Sequence, residues 1–227
     1  MSGLVLSIHQ PAYLPWIGYL DRIARSDLFV FLDTVQFQKN SFQNRNRVRT
    51  AQGDTWLTVP VKSRDHIQGS LLDIEISAAV RWQVKHLRTL EQAYSKAPHF
   101  GRVMEWLRPF YEQSWSRLSE LCWAMLEEHL NAAGIKTKLL RASELDGIDG
   151  RKSELILSIA RRVEADTYLS GPLGLDYLDR DSFVQAGIEL DVHKFEHPNY
   201  RQLREPFIAH MAAVDRMMCE GKSIEWR

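Results

Sequence analysis

The chain has 227 residues, 44% of them hydrophobic and 26% charged, enough to bury one substantial core and to form one domain carrying an insertion. Its 29 basic residues balance 29 acidic ones, so no net field draws it to nucleic acid or to an anionic membrane, and any anion site must be built locally. No apolar run reaches membrane-spanning length, and Met1-Ser2-Gly3 enters a strand pattern without the basic region and apolar stretch of a signal peptide, so the expected compartment is the cytoplasm.

Leu4 to Ile8 is a short buried-strand pattern, a helix follows from about Gly18 to Arg25, and Leu28 to Leu32 is a second apolar run, together a β-α-β unit. A polar loop comes next. Thr55 to Val61 alternates and is rich in β-formers; Leu71 to Ser77 is its expected partner in a small hairpin-like insertion, since Pro60 is tolerated only at an edge or strand end. The middle reads as helical: Trp82, His86, Leu87, Leu90 and Tyr94 share a face, as do Trp106, Phe110 and Tyr111, and the spacing continues through Trp115, Leu118, Cys122, Met125, Leu126 and His129 to a stop at Gly134. Cys122 suits a buried thiol better than a disulfide with Cys219. Then Lys138 to Arg141, Thr167 to Ser170 and Ile188 to Phe195 read as strands, Arg151 to Val163 as an amphipathic helix, and Pro206 to Met218 as a terminal helix. The expected fold is α/β, a mostly parallel Rossmann-like sheet with a small β insertion and a helical middle segment. Residues 1–227 form one domain in this reading, with a β/helical subdomain inserted at about 55–133.

Ligands of parallel sheets bind at the carboxyl ends of the strands, which singles out two loops. His9 leaves the first strand, where an imidazole can act as general base or donate to a phosphate, or simply cap and pack. Pro11 and Pro15 stiffen its loop, and Gly18 allows close approach at the start of a helix whose unpaired amides favour an anion. The second loop begins at Asp33, a carboxylate partner for His9 or a ligand hydroxyl, or equally a turn cap. It then gathers Gln36, Gln38, Lys39, Asn40, Gln43, Asn44, Arg45, Asn46 and Arg47 around Phe37 and Phe42, a donor set that suits phosphate and sugar. Ser170 and Gly171, in the turn Ser170-Gly171-Pro172-Leu173-Gly174, open on the same edge if the sheet is parallel. His193 and His197 are four apart, but Pro198 denies them a helix, and no set of side chains has metal-ligand spacing.

The residues His9-Gln10-Pro11-x-Tyr13-Leu14-Pro15-Trp16-x-Gly18-Tyr19, Asp33-x-Val35-Gln36-Phe37-x-Lys39, Phe42-x-Asn44-Arg45, Trp56 to Val61 and Thr167 to Gly171 resemble the WbqC-like family over nearly the whole chain. The resemblance implies a part in bacterial surface-polysaccharide biosynthesis and adds Gln10, Tyr13 and Tyr19 to the candidate ligand-binding residues. The chain departs from the family near its C-terminus, where Ala212-Ala213-Val214-Asp215 stands for a Ser-Ile-Ile-Asp-like stretch, keeping Asp215 without the hydroxyl. A looser resemblance, to nucleotidylyl transferases and pantoate-activating ligases, implies a strand-loop-helix phosphate cradle. Their His-x-Gly-His turn is here Trp16-Ile17-Gly18-Tyr19, with both histidines missing.

These readings converge on a transferase of O-antigen-type glycan assembly that binds a phosphorylated or nucleotide-linked small molecule and modifies a sugar amino or hydroxyl group. His9 and Asp33 are its candidate catalytic pair, and Arg45 and Arg47 its anion clamps. A non-catalytic nucleotide-sugar-binding or scaffold protein of the same pathway is the alternative. The sequence requires no cofactor or metal, though a nucleotide donor fits. Nucleic acid is disfavoured by the neutral charge, and the oligomeric state is open.

Overall fold

The computed structural model describes residues 3–62 and 69–222. Among them are the strands β1 (Val5–His9), β2 (Leu28–Phe31), β3 (Arg45–Thr50), β4 (Gly53–Thr58), β5 (Lys138–Arg141), β6 (Thr167–Ser170) and β7 (Glu189–Val192). The helices are α1 (Ile17–Ala24), α2 (Trp82–Tyr94), α3 (Phe100–Leu107), α4 (Pro109–Glu112), α5 (Leu118–Ala133), α6 (Ser153–Arg162), α7 (Arg180–Gln185) and α8 (Ala213–Glu220). The described chain divides into two compact units, one of residues 3–10, 21–34 and 135–196, the other of 11–20, 35–134 and 197–222.

The first unit is built on a parallel five-stranded sheet in the order β5-β2-β1-β6-β7. The chain lays β1 in the centre, steps outward through β2 and β5, then returns to the other side of β1 for β6 and β7. That is the Rossmann-like strand order, and it places the topological switch point between the carboxyl ends of β1 and β6. The strands read as short apolar runs because they are buried; every residue of β2, Leu-Phe-Val-Phe, is inside. The polar residue within β1, Ser7, is fully buried and accepts a hydrogen bond from Ser26 Oγ at 2.7 Å. Strand starts are pinned by carboxylates: Asp27 accepts from the Val5 amide at 2.8 Å and Asp166 from the Leu4 amide at 2.6 Å.

The second unit joins the antiparallel hairpin β3–β4, in register from Arg45 opposite Thr58 to Thr50 opposite Gly53, to α2 through α5 and α8. This corrects the sequence reading, which left residues 45–47 in a loop and paired Thr55 to Val61 with Leu71 to Ser77. Leu71–Asp73 is a 3-10 turn, and an isolated bridge joins Val61 to Ile76. The alternation of β3 is hidden because Asn46, at an inward position beside Val48, is polar; it is buried with Nδ2 donating to Leu14 O. The α2 face is buried as its spacing predicts at Trp82, His86, Leu90 and Tyr94, and α5 ends at Gly134 with φ of +70°. Trp115 lies before α5 rather than on it, its ring stacked on Phe110 and its indole N–H donating to Phe110 O at 3.0 Å. The terminal helix begins at Ala213, not Pro206. Upstream, the Gln202 side chain takes over the hydrogen bonds of Ile208, accepting from its amide at 2.9 Å and donating to its carbonyl at 2.8 Å, which holds that stretch out of helical pairing.

Candidate functional site

His9, Asp33 and Ser170 all lie at the carboxyl edge of the sheet, at or just beyond the ends of β1, β2 and β6. β1 and β6 pair Val5 with Thr167 and Leu6 with Tyr168; continued along the strands, that register sets His9 level with Gly171 across the switch point. A buried side chain of α1 reaches the same place. Arg22 is 7% exposed, and a Cβ at Gly171 would stand 2.4 Å from its Nη1, so the guanidinium occupies the space that Gly171 leaves by having no side chain. Gly174 is required for a parallel reason, since a Cβ there would overlap Ser170 Oγ.

The Arg22 charge is felt around it. The His9 pKa falls to about 3, through burial first and the Arg22 charge second. His9 Nδ1 lies 2.8 Å from Gln10 O; a carbonyl only accepts, so Nδ1 carries the proton and Nε2 the lone pair. His9 is therefore a neutral imidazole at physiological pH, and a weak base. Burial pushes the Tyr168 and Tyr177 hydroxyls up, against the pull of Arg22. Ser170 is buried, its Oγ donating to Gly171 O at 3.0 Å.

Asp33 is fully buried at the β2 end and accepts from Ser143 twice, at 3.0 Å from the amide and 2.7 Å from Oγ, which caps the turn after β5. Burial raises its pKa while the Ser143 bonds oppose the rise. One strand beyond Ser170, His193 follows β7, and its amide donates to Ser170 O at 2.8 Å. His193 Nε2 is 2.6 Å from Asp21 Oδ2, with both side chains largely buried, and Asp21 also accepts from Arg25 Nε at 2.6 Å.

Gln10, beside His9, belongs to the first unit, and the remaining candidates fall in the second. Tyr13 is fully buried, its hydroxyl 2.8 Å from His86 Nδ1 and 3.0 Å from the Tyr111 hydroxyl, and its amide donates to Phe42 O at 3.1 Å. Gly18 accommodates the Trp16 ring, which a Cβ would meet at 2.3 Å, and Tyr19 is buried. Gln36 forms a bridge with Ser70, Lys39 is exposed, and Asn44 is buried with Nδ2 donating to Val59 O at 2.8 Å. Arg45 and Arg47 lie along β3 with their guanidinium carbons 4.3 and 5.5 Å from the Trp56 ring centroid, and Arg47 pairs with Asp54 at 3.0 Å. In the described structure these two arginines brace the hairpin. Among the described residues no group of three His, Cys, Asp or Glu is arranged to hold a metal ion, and no helix is long and apolar enough to cross a membrane.

A family model for the WbqC-like protein family matches residues 10–225. The chain belongs to that family. Membership suggests a role in polysaccharide biosynthesis in general. The uncharacterized protein Rv1507c of Mycobacterium tuberculosis is 36% identical over 222 residues, covering 95% of this chain and 94% of the mycobacterial one. No solved structure matches. In this WbqC-like chain, sequence reasoning missed Arg22, Asp21 and His193. His193 stands at a strand end as His9 does, but the sequence reading runs that strand on to Phe195, whereas it ends at Val192, and so it kept His193 inside the strand. Asp21 and Arg22 sit between Leu20 and Ile23, both fully buried, a run of helix where a charge needs a built partner.

Proposed function

We propose that this protein is a transferase of surface-polysaccharide assembly that binds a phosphorylated or nucleotide-linked sugar at the switch point of its sheet and modifies an amino or hydroxyl group. The observation that supports this most is the Arg22 guanidinium seated on Gly171 beside His9. A planar guanidinium at a strand-end crevice suits a phosphate, which accepts in two-point fashion. The neutral His9, with its lone pair on Nε2, suits a ligand hydroxyl or amine that donates.

Thermal shift against inorganic pyrophosphate, nucleotides and nucleotide sugars tests this reading, since a ligand at a hundred times its dissociation constant stabilises the native state by about 2.7 kcal/mol. Gly171→Ala pushes against the far end of a flexible side chain, so it should leave the unliganded melting temperature nearly unchanged. By displacing the guanidinium it should weaken binding about 10- to 100-fold. Absence of stabilisation by every phosphorylated probe rejects the proposal. A second reading, a nucleotide-sugar-binding protein without chemistry, draws support from the low basicity of His9. Under it, binding survives and no turnover of any bound sugar donor is seen.

A further inference from the structure

The site proposed above has an anion anchor and a hydrogen-bond acceptor but, in His9, a poor base. The geometry points to His193 as the proton acceptor of this site, with Asp21 as the positioning residue that fixes its tautomer. This rests on the phosphorylated-sugar reading and deepens it.

Three observations carry the assignment. His193 follows β7 on the same carboxyl edge, one strand beyond Gly171, to which it is tied by its amide bond to Ser170 O at 2.8 Å. His9, Gly171 and His193 thus stand in lateral order at the ends of β1, β6 and β7, two strand spacings or about 10 Å in all, the span of one sugar phosphate. Second, Nε2 of His193 is held at 2.6 Å by a carboxylate, which directs the proton of the neutral ring to Nε2 and leaves Nδ1 as the basic nitrogen. Third, that carboxylate belongs to Asp21, the neighbour of Arg22 on α1, so one turn of helix sets both the anion anchor and the orientation of the base. Arg25 also donates to Asp21, and against the upward push of burial the His193 and Arg25 bonds together hold its carboxyl below the usual range and aim it.

In the step this implies, an acceptor-sugar hydroxyl or amine gives its proton to His193 Nδ1 as its oxygen or nitrogen bonds to the transferred group of a phosphate-activated sugar donor. The bond between that group and the phosphate oxygen breaks, its electron pair stays with the departing phosphate on Arg22, and His193 returns the proton to solvent. Charges balance at each stage.

Two measurements test it. In the wild-type protein, nitrogen-15 NMR of the histidine rings at pH 7.5 should show His193 protonated on Nε2 with a bare Nδ1, and Asp21→Asn should mix the tautomers. A ring protonated on Nδ1, or on both nitrogens, overturns the assignment. In a deletion strain complemented with variants, His193→Gln should lower surface polysaccharide at least 100-fold, as loss of a general base does, while the purified variant keeps its thermal shift with inorganic pyrophosphate. Asp21→Asn should lower it by at least tenfold, and Arg25→Met, which leaves the carboxylate and its bond to His193 in place, should lower it by clearly less. Full polysaccharide with His193→Gln rejects the proposal, and an Arg25→Met defect as large as that of Asp21→Asn reduces Asp21 to an ion-pair partner. If His193→Gln does not fold, the wild-type tautomer decides. A wild-type protein that no phosphorylated probe stabilises sinks the parent reading instead, and does so without any variant.

Discussion

In the unit of α2 through α5 and α8, two clusters of buried polar side chains answer one another. Tyr13 meets His86 and Tyr111, and the fully buried Asp215 accepts from Tyr94 at 2.5 Å, Tyr200 at 2.7 Å and Gln202 at 2.9 Å. At the sheet edge of the other unit, the polar groups differ in charge and come from separate strands and a helix: a guanidinium, a neutral imidazole and an imidazole held by a carboxylate. The first pattern is that of groups chosen to satisfy each other in a low-dielectric interior, where one missing partner is costly. The second is what a ligand site requires, and the difference separates two kinds of buried polar residue that look alike in a sequence. The retained Asp215 of the family-like C-terminal stretch falls with the first kind.

The largest test of the contrast is Asp215→Ala. It strands three buried donors at once and should cost about 3–5 kcal/mol, read as a large drop in the urea midpoint; a loss under about 1 kcal/mol would break the comparison. Acid comes next. Burial lowers the His86 and His129 pKa values to about 4, against 6.5 for an exposed ring. Between those values the unfolded chain binds more protons than the folded one, so this stability is complete above pH 6.5 and is lost as pH falls toward 4. Each ring contributes on the order of 3 kcal/mol. Urea midpoints should therefore fall steeply from pH 6.5 to 4.5, and His129→Leu should flatten the decline; a flat profile in the wild type contradicts the burial of these rings.

Tyr13→Phe is a smaller change. Removing the hydroxyl between His86 and Tyr111 should destabilise by about 1–3 kcal/mol without altering pyrophosphate binding, whereas a Tyr13→Phe protein of normal stability and lost binding would return Tyr13 to the ligand site. The smallest effect is expected at the hairpin. Arg47→Gln removes a partly exposed ion pair and a ring contact, worth less than about 1 kcal/mol together, and should leave anion-induced stabilisation intact. Loss of that stabilisation would make the arginine clamp of the sequence reading functional after all.

Much of the sheet was legible because its strands are short apolar runs punctuated by polar turns; β5 and β6 were read to the residue, and His9, Asp33 and Ser170 were placed on one edge from strand-end logic alone. The hairpin was misread because Asn46 occupies an inward position, so β3 lacks the apolar alternation that marks a strand. Arg22 and the Asp21–His193 pair escaped for a different reason. On a helix, Asp-Arg reads as a solvated face, and only the fold brings Asp21 to a histidine 172 positions away and Arg22 to Gly171.

Strand order also sets a timetable. β1 and β2 are close in sequence and can pair as soon as α1 forms, but β2 receives its other neighbour, β5, only after residues 32 to 137 have been made, and β1 must wait longer still for β6. Contacts of such long range close slowly, because loop entropy opposes them until they form. During synthesis, then, Leu28–Phe31 presents an unpaired edge of four consecutive apolar residues, the type of segment that recruits strands from other chains. The nascent protein should be most prone to aggregation in that interval, and chaperone dependence should be relieved by charges that shield the β2 edge rather than by any change in the finished core.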